Sequence, residues 1–182
     1  VIRLLRPLLE SENASADAWM LAGETYLHLL PDVAIDSQLR TSIPAPTTWP
    51  LENYARTAFE TARDLDPGFT PPLVHLAEIA ARRGDVAELA RYHAALVATK
   101  RDSTLSRRLR VSERCLREGP AAVRWSEIGR EDEVTLWYVG FMLRAATTAR
   151  ARACSQRSFA AALANDAETN KEDWGSLVAL HG

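Results

Sequence analysis

The sequence predicts an all-α protein built of antiparallel helix pairs, and three observations carry that expectation. Apolar residues recur at helical spacing along the whole chain, alternating β-branched runs are almost absent, and the breaks fall at helix-stopping clusters. Those clusters are Asp66-Pro67-Gly68, Arg83-Gly84-Asp85 and Gly119-Pro120. Turns this short make consecutive helices antiparallel.

Helices are expected over Ile2 to Leu9, Ala16 to Leu30, Pro50 to Leu65, Pro71 to Arg83, Val86 to Thr99, Thr104 to Arg117, Asp132 to Thr148, Ala151 to Ala164 and Lys171 to Leu180. Two stretches break the pattern. Pro31 to Trp49 holds Pro31, Pro44 and Pro46 among Ser and Thr, so it reads as an inserted loop. Gly119 to Glu131 reads as irregular, with a short helical turn pinned by Trp125. Trp49 stands beside Pro50, a residue suited to a first helical turn, and is expected to pack on Tyr54.

Composition narrows the function classes. A chain of 182 residues with 47% hydrophobic content is long enough for a continuous core. The 22 basic and 24 acidic residues leave a formal net charge of -2, which offers no strong field for nucleic acid or an anionic membrane. The longest apolar stretch, Val134 to Leu143, is too short to span a bilayer. Cys115 and Cys154 stand alone, without a disulfide framework or a CxxC signature, so they read as small core residues in a reducing, cytoplasmic setting. The chain opens on a helical pattern at Val1 without a cleavage site, as a piece of a longer protein would.

The informative feature is a repeat. Trp19, Ala22, Gly23 and Tyr26 recur at i, i+3, i+4 and i+7; Ala55, Phe59, Ala62 and Pro67 form a second block. Small residues let two antiparallel helices approach, large rings fill the space beside that approach, and proline ends the second helix. These blocks resemble the two halves of a tetratricopeptide repeat, with Ala22 where the family has Leu. Tyr26 and Ala55 are 29 residues apart, where the family spaces them roughly nine, so about 20 are inserted. A solenoid tolerates an insertion at that turn because the packed faces are untouched.

A second unit follows in register. Leu73, Leu76, Ala77 and Ala80 take first-helix positions, and Leu89, His93 and Leu96 take second-helix positions. Upstream, Leu5 and Leu8 suit the second helix of a preceding repeat. Downstream, Leu136, Val139, Gly140 and Leu143 have first-helix spacing, and Ser155, Phe159 and Ala162 resemble the second block. Thr104 to Arg117 has no clean signature, so residues 104–182 read as divergent repeats, with Trp174 and Leu177 on a capping helix. The resemblance implies a single right-handed solenoid of about eight or nine helices. More loosely, the run Phe59 to Pro67 is similar to repeats appended to bacterial signalling and transcription-regulatory proteins.

The family's ligand contacts come from the first helices, on the concave face. Carried over by position, they imply a peptide-binding face of Met20, Glu24, Leu27 and His28, then Val74, Glu78 and Arg82, then Trp137, Phe141 and Arg144. The family's clamp for acidic C-terminal tails uses Lys, Arg and Asn. Glu24 and Glu78 stand here instead, which points away from such a tail and toward a basic segment, or toward solvated face residues.

Other chemistry lacks support. His28, His75, His93 and His181 are scattered singly, without HExxH or Cys/His spacing, so no metal or other cofactor is expected. Arg107, Arg108, Arg110, Arg114 and Arg117 share one helix, but Glu113 and Glu118 dilute the charge and no aromatic residues are interleaved. GxGxxG, Walker and GxSxG sequences do not occur. The expected function is therefore non-catalytic: a scaffold that binds a protein or peptide. The alternatives are an intramolecular sensor or self-association module, and, third, an enzyme.

Overall fold

The structure is a computed structural model. It describes residues 7, 9–11, 14–28, 51–99 and 103–181, the side chains of 51, 103 and 168–181 excepted. The proline-rich stretch 31–49, Trp49, Leu5 and Leu8 therefore lie outside the described residues. Among the described residues the chain is all-helical, with seven α-helices: α1 (Ala16–His28), α2 (Leu51–Leu65), α3 (Pro71–Arg83), α4 (Val86–Ala98), α5 (Ser103–Glu118), α6 (Trp125–Leu143) and α7 (Ala149–His181). They divide into two compact units, Val1–Ile79 and Ala80–Gly182.

In the first unit, Ser15 caps α1 by accepting the Ala18 N–H at 3.2 Å. Ala55, Ala58, Phe59 and Ala62 form the buried stripe of α2. That helix stops where Pro67 cannot continue it, and the Asp66 side chain closes the turn by accepting the Gly68 N–H at 2.9 Å. Pro71 and Pro72 then open α3, where their missing N–H groups cost nothing.

The antiparallel pair α1/α2 closes on a glycine. A Cβ on Gly23 would sit 2.4 Å from the Phe59 ring, so only glycine permits this approach. Tyr26 packs on Tyr54 at 5.5 Å between centroids, and burial, with Tyr54 adding to it, pushes the Tyr26 hydroxyl above the usual phenol range.

The second unit begins within α3. Gly84, at φ 72, lets the Asp85 N–H reach the Ala80 carbonyl while its own N–H reaches Ala81, a Schellman ending. Asp85 then caps α4 through the Glu88 N–H at 2.9 Å. The Trp125 indole donates to the Pro120 carbonyl at 2.8 Å, which pins the single 3-10 turn Pro120–Ala122 expected there.

In the antiparallel pair α6/α7, a Cβ on Gly140 would meet the Phe159 ring at 2.7 Å. Ser155 and Ser158 donate to the Gly140 and Leu136 carbonyls at 2.8 and 2.7 Å. The turn after α6 is held by charge-assisted bonds to backbone: Arg82 Nε donates to the Met142 carbonyl, and Arg152 to those of Ala146 and Thr147.

Three expectations are corrected. A helical segment does restart at Asp132 as expected, but α6 already begins at Trp125, ahead of that kink, and ends at Leu143 instead of Thr148. Ala151 to Ala164 and Lys171 to Leu180 are one helix, since nothing between Ala164 and Lys171 stops a helix as Pro or Gly would. Cys115 and Cys154 are not free: they form a disulfide joining α5 to α7 across 39 residues, with both cysteines fully buried.

The ring-on-glycine contact is open to a double-mutant cycle. Gly23→Ala gains about 1 kcal/mol of helix propensity, but displacing Phe59 costs about 1–3 kcal/mol. Urea unfolding should show a net loss in the native background and a neutral or stabilising effect beside Phe59→Leu. Equal losses in both backgrounds would sink the contact. Replacing both cysteines by Ser should cost roughly 2–4 kcal/mol through the larger unfolded ensemble. A double variant as stable as the oxidised protein would remove that contribution.

Candidate functional site

The residues expected on the binding face fall into two sets, one in each unit. In the first, Glu24 on α1 joins two histidines: its carboxylate oxygens lie 2.7 Å from His75 Nε2 and 2.7 Å from His28 Nε2. The other ring nitrogen of His75 lies 3.0 Å from Glu78. His75 stacks on Phe59 at 4.8 Å between centroids, covering the ring that Gly23 admits. The His75 ring has a carboxylate within hydrogen-bonding distance of each of its nitrogens. Glu24 and Glu78 are thus engaged within the fold. Met20 and Val74 are half-buried and His28 is exposed, whereas Leu27 is in the core at 3% exposure and presents no surface.

In the second unit, Arg82 does not face a ligand with its Nε, which holds the end of α6 through the Met142 carbonyl at 3.1 Å. Trp137, Phe141 and Arg144 share a face of α6 at helical spacing. The structure adds Phe159 from α7. Phe141 meets Phe159 edge to face at 5.1 Å, Trp137 lies 6.1 and 5.9 Å from these two rings, and the Arg144 guanidinium stands 5.6 Å from the Phe141 centroid. Trp137 is oriented by donating its indole N–H to Glu133 at 2.9 Å. Phe141 is nevertheless 51% exposed, and Val134 and Leu163 are exposed as well. Spacing puts Val134 one turn before Trp137, and Leu163 one turn after Phe159.

The segment bearing these rings starts afresh at Asp132, whose backbone leaves the helix at φ −159, ψ 79. Its carboxylate accepts the Thr135 N–H at 3.2 Å and the Thr135 hydroxyl, capping residues 133–143 from inside α6. The Thr135 hydroxyl foremost, then its N–H and the nearby Arg108 and Arg107, hold the Asp132 carboxyl below the usual carboxylate range against partial burial.

Two arrangements in the second unit lay beyond sequence reasoning. His93 Nδ1 lies 3.0 Å from Glu113 and Nε2 lies 3.0 Å from Ser106, the order of groups that activates a serine nucleophile. Ser106 is 7% exposed and sits where α5 packs on α4, so the three groups tie these helices together in the interior. A cavity of about 560 Å³ opens between the start of α6 and the middle of α7. Neither arrangement has a spacing signature, because each joins residues from different helices.

The arginine-rich helix is largely neutralised. Arg107 pairs with Glu131, Arg114 with Glu118 and Arg117 with Glu113, while Arg108 lies 5.4 Å over the Tyr138 ring. Among the described residues, no group of three His, Cys, Asp or Glu side chains is placed to hold a metal ion. No described helix is long and apolar enough to cross a membrane. No family model, curated protein or solved structure matches this chain.

Asp132→Ala should lower stability at neutral pH by roughly 0.5–2 kcal/mol through the lost cap. Because the folded-state pKa of Asp132 is depressed, its charge contributes stability above the ordinary carboxylate value of about 3.9, and that contribution fades as pH falls through the folded value. Urea titrations should therefore show native and variant proteins converging in acid. A gap that widens as pH falls would reverse the assignment.

Proposed function

We propose that this chain is a non-catalytic, tetratricopeptide-like scaffold that holds a protein or peptide partner on the ring cluster of Trp137, Phe141 and Phe159. The fold part of this reading rests on a recurrence. Gly23 against Phe59 and Gly140 against Phe159 are the same contact in two helix pairs, and Ala55, Ala58 and Ala62 hold the places of Ser155, Ser158 and Ala162, all buried. Stacked units of one design are what a helical solenoid is made of.

The observation that carries the docking surface is the exposure of Phe141 in the middle of an aromatic cluster with a cation above it. In the first unit His75 stacks over Phe59 and leaves it fully buried; the corresponding Phe159 is only half-buried, bordered by exposed Phe141. A contiguous apolar surface with a polar rim is the usual mark of a partner site. Phe141 would supply the apolar anchor, and Arg144 would meet an acidic side chain next to the partner's own anchor. Glu24 and Glu78 already face His75, so a basic segment there would compete with contacts inside the fold.

Self-association is the second reading, favoured by the same exposed rings, because an open repeat end covers its apolar face with another copy. The cystine supports an oxidising compartment over a cytoplasmic one. A role in bacterial signalling or transcriptional regulation rests on the family resemblance alone.

Selection of displayed peptides should enrich sequences with an aromatic or large aliphatic anchor next to Asp or Glu. Phe141→Ala should weaken those peptides by about 2 kcal/mol or more, roughly 30-fold, with little change in unfolding midpoint. Peptides indifferent to both Phe141→Ala and Arg144→Glu would remove the docking surface. Light scattering on the native chain decides the second reading: a dimer lost in Phe141→Ala supports it, and a strict monomer at high concentration excludes it.

A further inference from the structure

On the other flank of α7 from the aromatic cluster lies the cavity of about 560 Å³. At 100° per residue, Phe159 and Leu163 point to one side of the buried line through Ser158 and Ala162, and Arg157, Ala161 and Ala164 to the other. The volume suits a small molecule. Val123, Trp125 and the alanines of α7 supply apolar walls, while Arg124, Arg130 and Arg157 bring three guanidinium groups to a lining that Ser126, Glu127 and Asn165 complete, one carboxylate against three cations. Trp125 is fixed in place, since its indole is bonded to Pro120 and only 8% of the residue is exposed.

The charge distribution identifies the ligand. Among the described residues, nearly every arginine is engaged: with a carboxylate, with a backbone carbonyl, or over an aromatic ring. Arg124 follows that pattern through Glu127 at 3.1 Å. Among the described residues Arg110, Arg130 and Arg157 have no such partner, and the last two line this cavity from different helices. Two guanidiniums without a carboxylate partner among the described residues, lining one cleft of mixed polar and apolar character, are suited to a planar or tetrahedral oxyanion, which they can bind through paired N–H bonds.

We propose that this cavity binds a small molecule consisting of an apolar, ring-sized body and one oxyanion group, carboxylate or phosphate. The body lies against Trp125 and the α7 alanines; the anion lies between Arg130 and Arg157. The site is separate from the partner surface and stands whether or not that surface binds a peptide.

The test is titration of the native chain with 3-phenylpropionate, phenyl phosphate and 3-phenylpropanamide, followed by calorimetry and by the Trp125 indole N–H resonance. At least one of the two anions should move that resonance, and the neutral amide should bind about tenfold more weakly or worse. Which anion is tighter separates a carboxylate from a phosphate ligand. The double variant Arg130→Ala/Arg157→Ala changes exposed side chains, so it should unfold like the native chain yet lose about tenfold in anion affinity. Ala161→Leu, which fills the cavity, should remove binding of all three probes. Equal binding of anions and amide, unchanged affinity in the double variant, or an unmoved Trp125 resonance at about 10 mM ligand would overturn the proposal.

Discussion

The close approach of a helix backbone to a phenylalanine ring is the constraint from which the rest of this structure follows. At Gly23 and Gly140 no side chain separates the two helices, so the ring of Phe59 or Phe159 rests on the backbone itself. Each contact sets the distance between its helices and the register of the residues above and below it. In α7 that register brings Ser155 and Ser158 under the Gly140 and Leu136 carbonyls, and in α2 it leaves Ala55 and Ala58 fully packed. With serine in one pair and alanine at the matching places of the other, the ring-on-backbone contact occurs both with and without these hydrogen bonds.

This same constraint made much of the fold readable in advance. A small residue and a large ring at fixed helical offsets have few other uses, so Gly23, Phe59, Gly140 and Phe159 could be assigned to helix contacts from their positions alone. Helix ends were equally legible where chemistry forces them, at Pro67 and at the Gly84-Asp85 corner. Trp137, Phe141 and Arg144 were also placed on one helix face, because helical periodicity is a local property of the chain.

What escaped the sequence depends on contacts between distant residues. Cys115 and Cys154 lie on helices brought together by tertiary packing, and nothing in a 39-residue separation marks two isolated cysteines as partners. The charge of Arg107 was visible, but Glu131, its partner 24 residues on, was not. Neither was the junction of Glu24, His75 and Glu78 across α1 and α3, in which each scattered histidine had looked incidental. Local reading also failed where a residue acts against its usual habit. The polar run after Ala164 continues a helix where a break was expected.

The cystine has a kinetic consequence. Both cysteines are wholly shielded from solvent in the folded state, so a dissolved thiolate cannot line up with either sulfur while α5 and α7 remain packed. Exchange must wait for a local opening of the second unit. The lifetime of the bond against reductants is then governed by how often these helices part, and it would outlast a change of surroundings for as long as the packing held.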